Sequence, residues 1–272
     1  MFRKIKDRIR KFIAASTYQN FNYDRKKQND EILLGVQRLL AISNLHRKTF
    51  AGFKGCYEGK DVAIVGAGPS VVNFKPINDC IYIGLNSACV LQSIKFDYLF
   101  SIDKSGIDKV YGDFASVDCV KFIGDQNFYS PDFQISESVI SKMGNVRRYK
   151  TNTGLYAKSK FAYDIESEPL GNFNTVALQA IQFALYTNPQ RIYLIGIDCT
   201  PNGHFHNKQN SAEEISSVIE KRKGVPLDKW AENAISGWKE LKDFVQIYYP
   251  STEIVSINPV GLRGIFIDMY QE

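Results

Sequence analysis

The chain has 272 residues, is 44% hydrophobic and 23% charged, and sets 34 Lys and Arg against 29 Asp and Glu for a formal net charge of +5. That balance suits one large globular domain or two small ones and excludes disordered and collagen-like classes. No run approaches the ~18 apolar residues of a membrane-spanning helix, and a nucleic-acid binder carries a stronger, more clustered basic excess.

The excess is concentrated at the start. Residues 1–13 hold Arg3, Lys4, Lys6, Arg8, Arg10 and Lys11 against Asp7, so residues 14–272 are formally neutral. Phe2, Ile5, Ile9, Phe12 and Ile13 recur at helical spacing. A basic amphipathic helix of this kind either anchors on anionic lipid or packs on the body with its bases in water. No apolar h-region follows, as a secretory signal requires. Residues 17–30 are polar, and a further helix is expected from about Glu31. Residues 1–59 therefore read as a basic and helical N-terminal extension, and residues 60–272 as the main domain.

Short apolar runs without alternation then predict strands buried on both faces of a parallel sheet: 62–65, 80–86, 96–103, 119–124, 191–198 and 253–258. Helical patterns at 174–186 and 229–247 alternate with several of them, which predicts an α/β, Rossmann-like, doubly wound sheet. Residues 125–172 are polar and turn-rich and read as an insertion or cap. Residues 200–228 read as a lid carrying Lys221, Arg222 and Lys223, or as a solvated surface helix. Five scattered cysteines form no C-x-x-C pair, so a zinc ribbon or redox motif is not indicated, and a reducing cytoplasm with free thiols is expected.

In open parallel sheets ligands sit beyond the carboxyl ends of the strands, and four of those ends carry glycine or polar punctuation. Gly66, Gly68 and Ser70 follow the first strand, where glycines admit a ligand phosphate to the backbone or simply form a tight turn. Asn86 follows the second strand, and Asp103 follows the third. Asp198 ends the most apolar strand, placed to accept hydrogen bonds from a ribose diol or to cap a loop. His204 and His206 follow in a glycine-containing loop as a general base, a phosphate ligand or, least expected, half a metal site.

Together GKDVAIVGAGPS, IGLNSA, FSID, NTVALQAIQFALY, RIYLIGIDCTPNGHFHN and YYPSTEIVSINPVGLRGIF resemble the bacterial sialyltransferases of glycosyltransferase family 42. They also resemble the related domain named after 6-hydroxymethylpterin diphosphokinase, found in surface-glycan proteins. The resemblance covers roughly residues 60–104 and 172–267. It implies a nucleotide-sugar site of the CMP-sialic acid kind, contacted by Gly66, Gly68, Ser70, Asn86, Asp103, Asn174, Thr175 and Asp198. Against the family pattern, Ala67 replaces an Asn, Thr200 and His206 replace two tyrosines at the leaving phosphate, and no His lies at 230–238. His206 or His204 is then the expected base.

These readings predict a cytoplasmic, inverting glycosyltransferase acting on a surface-glycan acceptor. No resident cofactor or metal is expected, because no Asp-x-Asp motif is present, and residues 1–13 supply peripheral membrane contact. A Mg-dependent diphosphokinase-like phosphotransferase and a non-catalytic nucleotide-binding protein are the alternatives.

Overall fold

The computed structural model describes residues 2–102, 104–125, 135–152, 160–173, 175–200 and 227–271. Nine strands form one sheet in the order β6-β5-β4-β3-β2-β1-β7-β8-β9, and every neighbouring pair is parallel. They are β1 Asp61–Val65, β2 Cys80–Leu85, β3 Tyr98–Ser101, β4 Val120–Asp125, β5 Val146–Asn152, β6 Leu170–Gly171, β7 Arg191–Ile195, β8 Glu253–Ile257 and β9 Ile267–Met269. Helices α1 Phe2–Phe50, α2 Tyr111–Ser116, α3 Glu137–Ile140, α4 Val176–Tyr186 and α5 Leu227–Tyr248 complete the α/β fold. The expected doubly wound, Rossmann-like architecture is what forms.

The apolar runs lack alternation because both faces of the sheet are covered. Val62, Ile64, Phe100, Ile192 and Leu194 face one core with α4, α5 and the end of α1. Ala63, Val65, Leu99, Tyr193 and Ile195 face the other, with α2 and α3. Right-handed crossovers impose this division. The connections from β1 to β5 all step the same way, whereas those through α4 and α5 step back. Because α4 spans beneath the sheet from β6 to β7, all eleven of its residues are buried. Its two polar members are satisfied. Gln182 accepts from Ala162 N–H and Gly171 N–H, both at 2.9 Å, and Gln179 donates to Asn172 Oδ1 at 2.8 Å while accepting from Tyr149 Oη–H at 2.6 Å.

Three features depart from the sequence reading. Residues 2–50 form one unbroken helix of 49 residues, with no break at 17–30. The segment 125–172 is not wholly an insertion, since it supplies β5 and β6 to the sheet. The last short strand, β9, was not expected at all. Neither β6 nor β9 exceeds three residues, too few for any periodicity to register.

Among the described residues, helix α1 joins the body through its final turns, where Phe50 stacks on Phe122 with ring centroids 5.7 Å apart. The key polar contact there is His46, fully buried. Its Nδ1 lies 2.8 Å from Ile165 O and its Nε2 accepts from Lys150 N–H at 2.8 Å, so the ring is held as the neutral Nδ1–H tautomer. Burial lowers its pKa from the model-compound value of 6.5, and Lys150 adds to the effect. Below about pH 6.5 the unfolded chain therefore takes up a proton that the folded chain resists, and stability is lost as pH falls through that value. Thermal denaturation from pH 7.5 to 5.0 is expected to show this fall. His46→Ala is expected to cost about 3 kcal/mol at pH 7.5 and to flatten the slope between pH 6.5 and 5.5.

Candidate functional site

The direction of sheet growth reverses at β1, which lies between β2 and β7. At such a reversal, loops leaving adjacent parallel strands diverge to opposite faces and open a crevice beyond the carboxyl ends. The loops concerned are residues 66–70 and 196–200, two of the turns picked out by their glycines and polar residues.

The two loops are stitched together. Gly66 N–H donates to Ile195 O at 2.8 Å and Gly68 N–H to Gly196 O at 2.9 Å. A Cβ on Gly66 would lie 2.5 Å from Gly196 O, and one on Gly68 would lie 2.5 Å from Asp198 Cγ. Gly196 itself has φ +63°, the left-handed region that favours glycine. These glycines thus serve the close approach of one loop to the other, and the N–H groups of Gly66 and Gly68 are used within the protein.

Asp198 is 7% exposed. Its carboxylate accepts from Ser70 N–H at 3.0 Å and from the Ser70 hydroxyl, holding the 3-10 turn Pro69–Asn73 from across the crevice. Of the roughly four lone-pair directions of a carboxylate, Ser70 occupies two. A third loop closes on the same point: Gly261 N–H donates to Asp198 O at 2.9 Å. Burial pushes the neighbouring Cys199 thiol up to about 12, so it stays protonated at neutral pH and is no nucleophile.

Strained backbone marks the same edge. Asn86 (φ +47°) and Asn258 (φ +47°) come directly after β2 and β8, Cys199 (φ +49°) lies in the loop after β7, and Phe173 (φ +44°) follows β6. Left-handed non-glycine residues cost about 1–2 kcal/mol each and gather at functional sites. Asp79, Asn145 and Asn188, also positive in φ, sit in turns entering β2, β5 and β7 at the opposite edge.

Asn86 stands out further, because its Oδ1 is buried with no hydrogen-bond partner among the described residues. Buried polar atoms are nearly always paired, and Arg148 Nε, Thr151 Oγ1, Trp238 Nε1 and Ser256 Oγ share this condition. The Asn86 amide lies against Gly106, where a Cβ would come within 2.6 Å of the amide carbon. Thr175 caps α4, its hydroxyl accepting from Ala177 N–H at 3.4 Å, and Thr200 is half-buried at the end of the β7 loop. Asp103, Asn174, His204 and His206 lie outside the described residues. Among the described residues no cluster of three His, Cys, Asp or Glu is close enough to hold a metal.

Sequence reasoning missed Asn258, Phe173, Gly106 and Gly261. Of these, only the Asn-Pro-x-Gly sequence at 258–261 signals a turn after a strand.

No protein-family model matches the chain, and no curated protein does. Two solved structures are similar in trace. One is the MAf glycosyltransferase of Magnetospirillum magneticum AMB-1, 14% identical with a TM-score of 0.43 over 85% of this chain and 38% of that one. The other is the sialyltransferase CstII of Campylobacter jejuni, in complex with the substrate analogue CMP-3FNeuAc, also 14% identical at 0.43, over 77% and 86%. The chain thus spans well under half the length of the first, and neither likeness assigns a role to any residue here.

The loop contact makes a graded prediction about stability. Gly66→Ala drives a Cβ into backbone and is expected to cost about 2–3 kcal/mol. Ser70→Ala keeps the Ser70 N–H bond to Asp198 and is expected to cost about 1 kcal/mol. Urea unfolding midpoints of the two variants check the ranking.

Proposed function

We propose that the chain is a glycosyltransferase that binds a nucleotide-activated sugar across the β1–β7 crevice and passes the sugar to a surface-glycan acceptor. The observation that carries this reading is the unpaired, buried Asn86 Oδ1 directly after β2, the neighbour of the strand β1 at which the strand order reverses. An acceptor oxygen there suits an N–H donor on the edge of a pyrimidine base, and the open lone pairs of Asp198 suit a ribose hydroxyl. A CMP-linked nonulosonate is the donor class that the family resemblance of the sequence suggests.

The reaction in this reading is a single inverting displacement without a metal. The acceptor hydroxyl oxygen attacks the anomeric carbon as the bond from that carbon to the phosphate oxygen breaks. CMP departs, and the hydroxyl proton passes to His206 or His204. Thr200 and backbone N–H groups of the lid segment stabilise the charge growing on the phosphate. Residues 1–13 bring the enzyme to acceptors at an anionic membrane, each Lys or Arg contributing about 1 kcal/mol near the surface. Among the described residues no helix is long and apolar enough to cross a membrane.

Calorimetry with CMP, UDP, GDP and ATP tests the nucleotide, and release of CMP from a panel of activated sugars tests the reaction. Selective binding of CMP is expected, with Asn86→Ala weakening it at least tenfold while the thermal midpoint moves by only a few degrees. His206→Ala or His204→Ala is expected to lower kcat by about 10²–10⁴-fold. Failure to bind any of the four nucleotides, together with no CMP release, discards the reading; ATP consumption abolished by EDTA replaces it with phosphotransfer. Removing residues 1–13 is expected to abolish flotation with anionic vesicles while sparing turnover on a soluble acceptor.

A further inference from the structure

Helix α1 is about 70 Å long at 1.5 Å per residue, yet within its described side chains the burial is confined to His46, Thr49 and Phe50 at its end. Just before that junction Ile32, Leu33, Val36, Leu39 and Leu40 stand between 47% and 65% exposed. At 100° per residue these five positions occupy about 120° of the circumference, an apolar face presenting on the order of several hundred Å². Patches of that size mark interaction sites.

Leu34, 46% exposed, lies on another side of the helix, and the five that share one face suit a second copy of the same helix. They are symmetric about Val36: position 32 mirrors 40, position 33 mirrors 39, and 36 mirrors itself, with a large aliphatic residue at every one. An isologous two-fold interface can use such a stripe, because residue i meets j while j meets i and both are apolar. Ile32, Val36 and Leu40 also form one i±4 ridge, the row that interdigitates in the commonest helix crossing. We infer that α1 is the dimer interface of this protein, two copies crossing antiparallel at Val36 through the ridge of Ile32, Val36 and Leu40.

Two further observations favour a second copy over other occupants. Position 36 lies 27 residues beyond position 9, about seven and a half turns along one continuous helix. Positions 9 and 36 therefore lie on opposite sides of the helix axis, and one flat lipid surface cannot meet both sides. The charge distribution favours the antiparallel sense. Residues 1–50 carry twelve bases against four acids, and residues 51–272 carry 22 bases against 25 acids. Parallel helices would set two basic tips side by side, whereas antiparallel ones send each tip toward the mildly acidic body of its partner. The two faces together approach the ~1,200 Å² at which specific interfaces begin.

Light scattering of the full chain at tens of micromolar, without lipid, is expected to give twice the monomer mass of 30.9 kDa. The double variant Val36→Glu, Leu40→Glu is expected to run as a monomer with native tryptophan fluorescence, reporting an intact body around Trp238. With Cys56→Ser as background, Val36→Cys is expected to form an oxidised self-crosslink at the dyad, while Leu33→Cys and Leu40→Cys do not. A monomeric wild type overturns the inference, as does a dimer that survives the double glutamate variant. Equal self-crosslinking at all three positions overturns the antiparallel crossing. Flotation of a monomeric wild type on anionic vesicles that is lost in the double glutamate variant assigns the face to lipid instead.

Discussion

The approach of the β1 loop to the β7 loop is the contact around which the rest of this molecule is arranged. Parallel neighbours leave their carboxyl ends side by side, and at the reversal of strand order no helix intervenes between them. Two chain segments can meet there only if the side chains that would separate them are missing, which is why Gly66, Gly68 and Gly196 cluster at one place. Once the loops touch, Asp198 reaches Ser70, and the third loop, from Asn258 on, closes over Asp198 through Gly261. The carboxyl edge of the sheet is thus tied at this point mainly by backbone hydrogen bonds rather than by adaptable side chains.

How much of this was legible in the sequence depends on how each element signals itself. Strands buried on both faces announce themselves as unbroken apolar runs, so β1 to β4, β7 and β8 were readable within a few residues. Val146–Asn152 was not, since its half-buried residues include Arg147, Arg148 and Lys150, and a polar strand toward the flank of a sheet reads as a loop. The unbroken α1 was obscured for a related reason. Residues 17–30 are polar all round, and nothing in their periodicity distinguishes a free-standing helix from a linker.

At the site, chemistry-bearing types were visible but their partners were not. The glycines after β1 suggested a ligand because the residue that needs them small, Gly196, is 130 positions away. The carboxylate of Asp198 suggested a ribose contact, and its capping of Ser70 emerged only from the fold. The strain and the missing hydrogen bond at Asn86 have no sequence signature, because any asparagine after a strand looks the same before its surroundings are known.

The separation between Ser70 and Asp198 has a bearing on how the molecule is made. The two are 128 residues apart, and His46 waits 119 residues for Ile165. Parallel pairing between distant segments closes large loops before it is rewarded, and such topologies fold slowly. At ribosomal speeds of about 5–20 residues per second, the first glycine turn spends on the order of ten seconds outside the ribosome before its partner strand is synthesised. The β1 loop therefore belongs to the last part of the fold to mature, and an emerging chain holds strands β1 to β6 with β1 still an open edge until β7 arrives to pair with it.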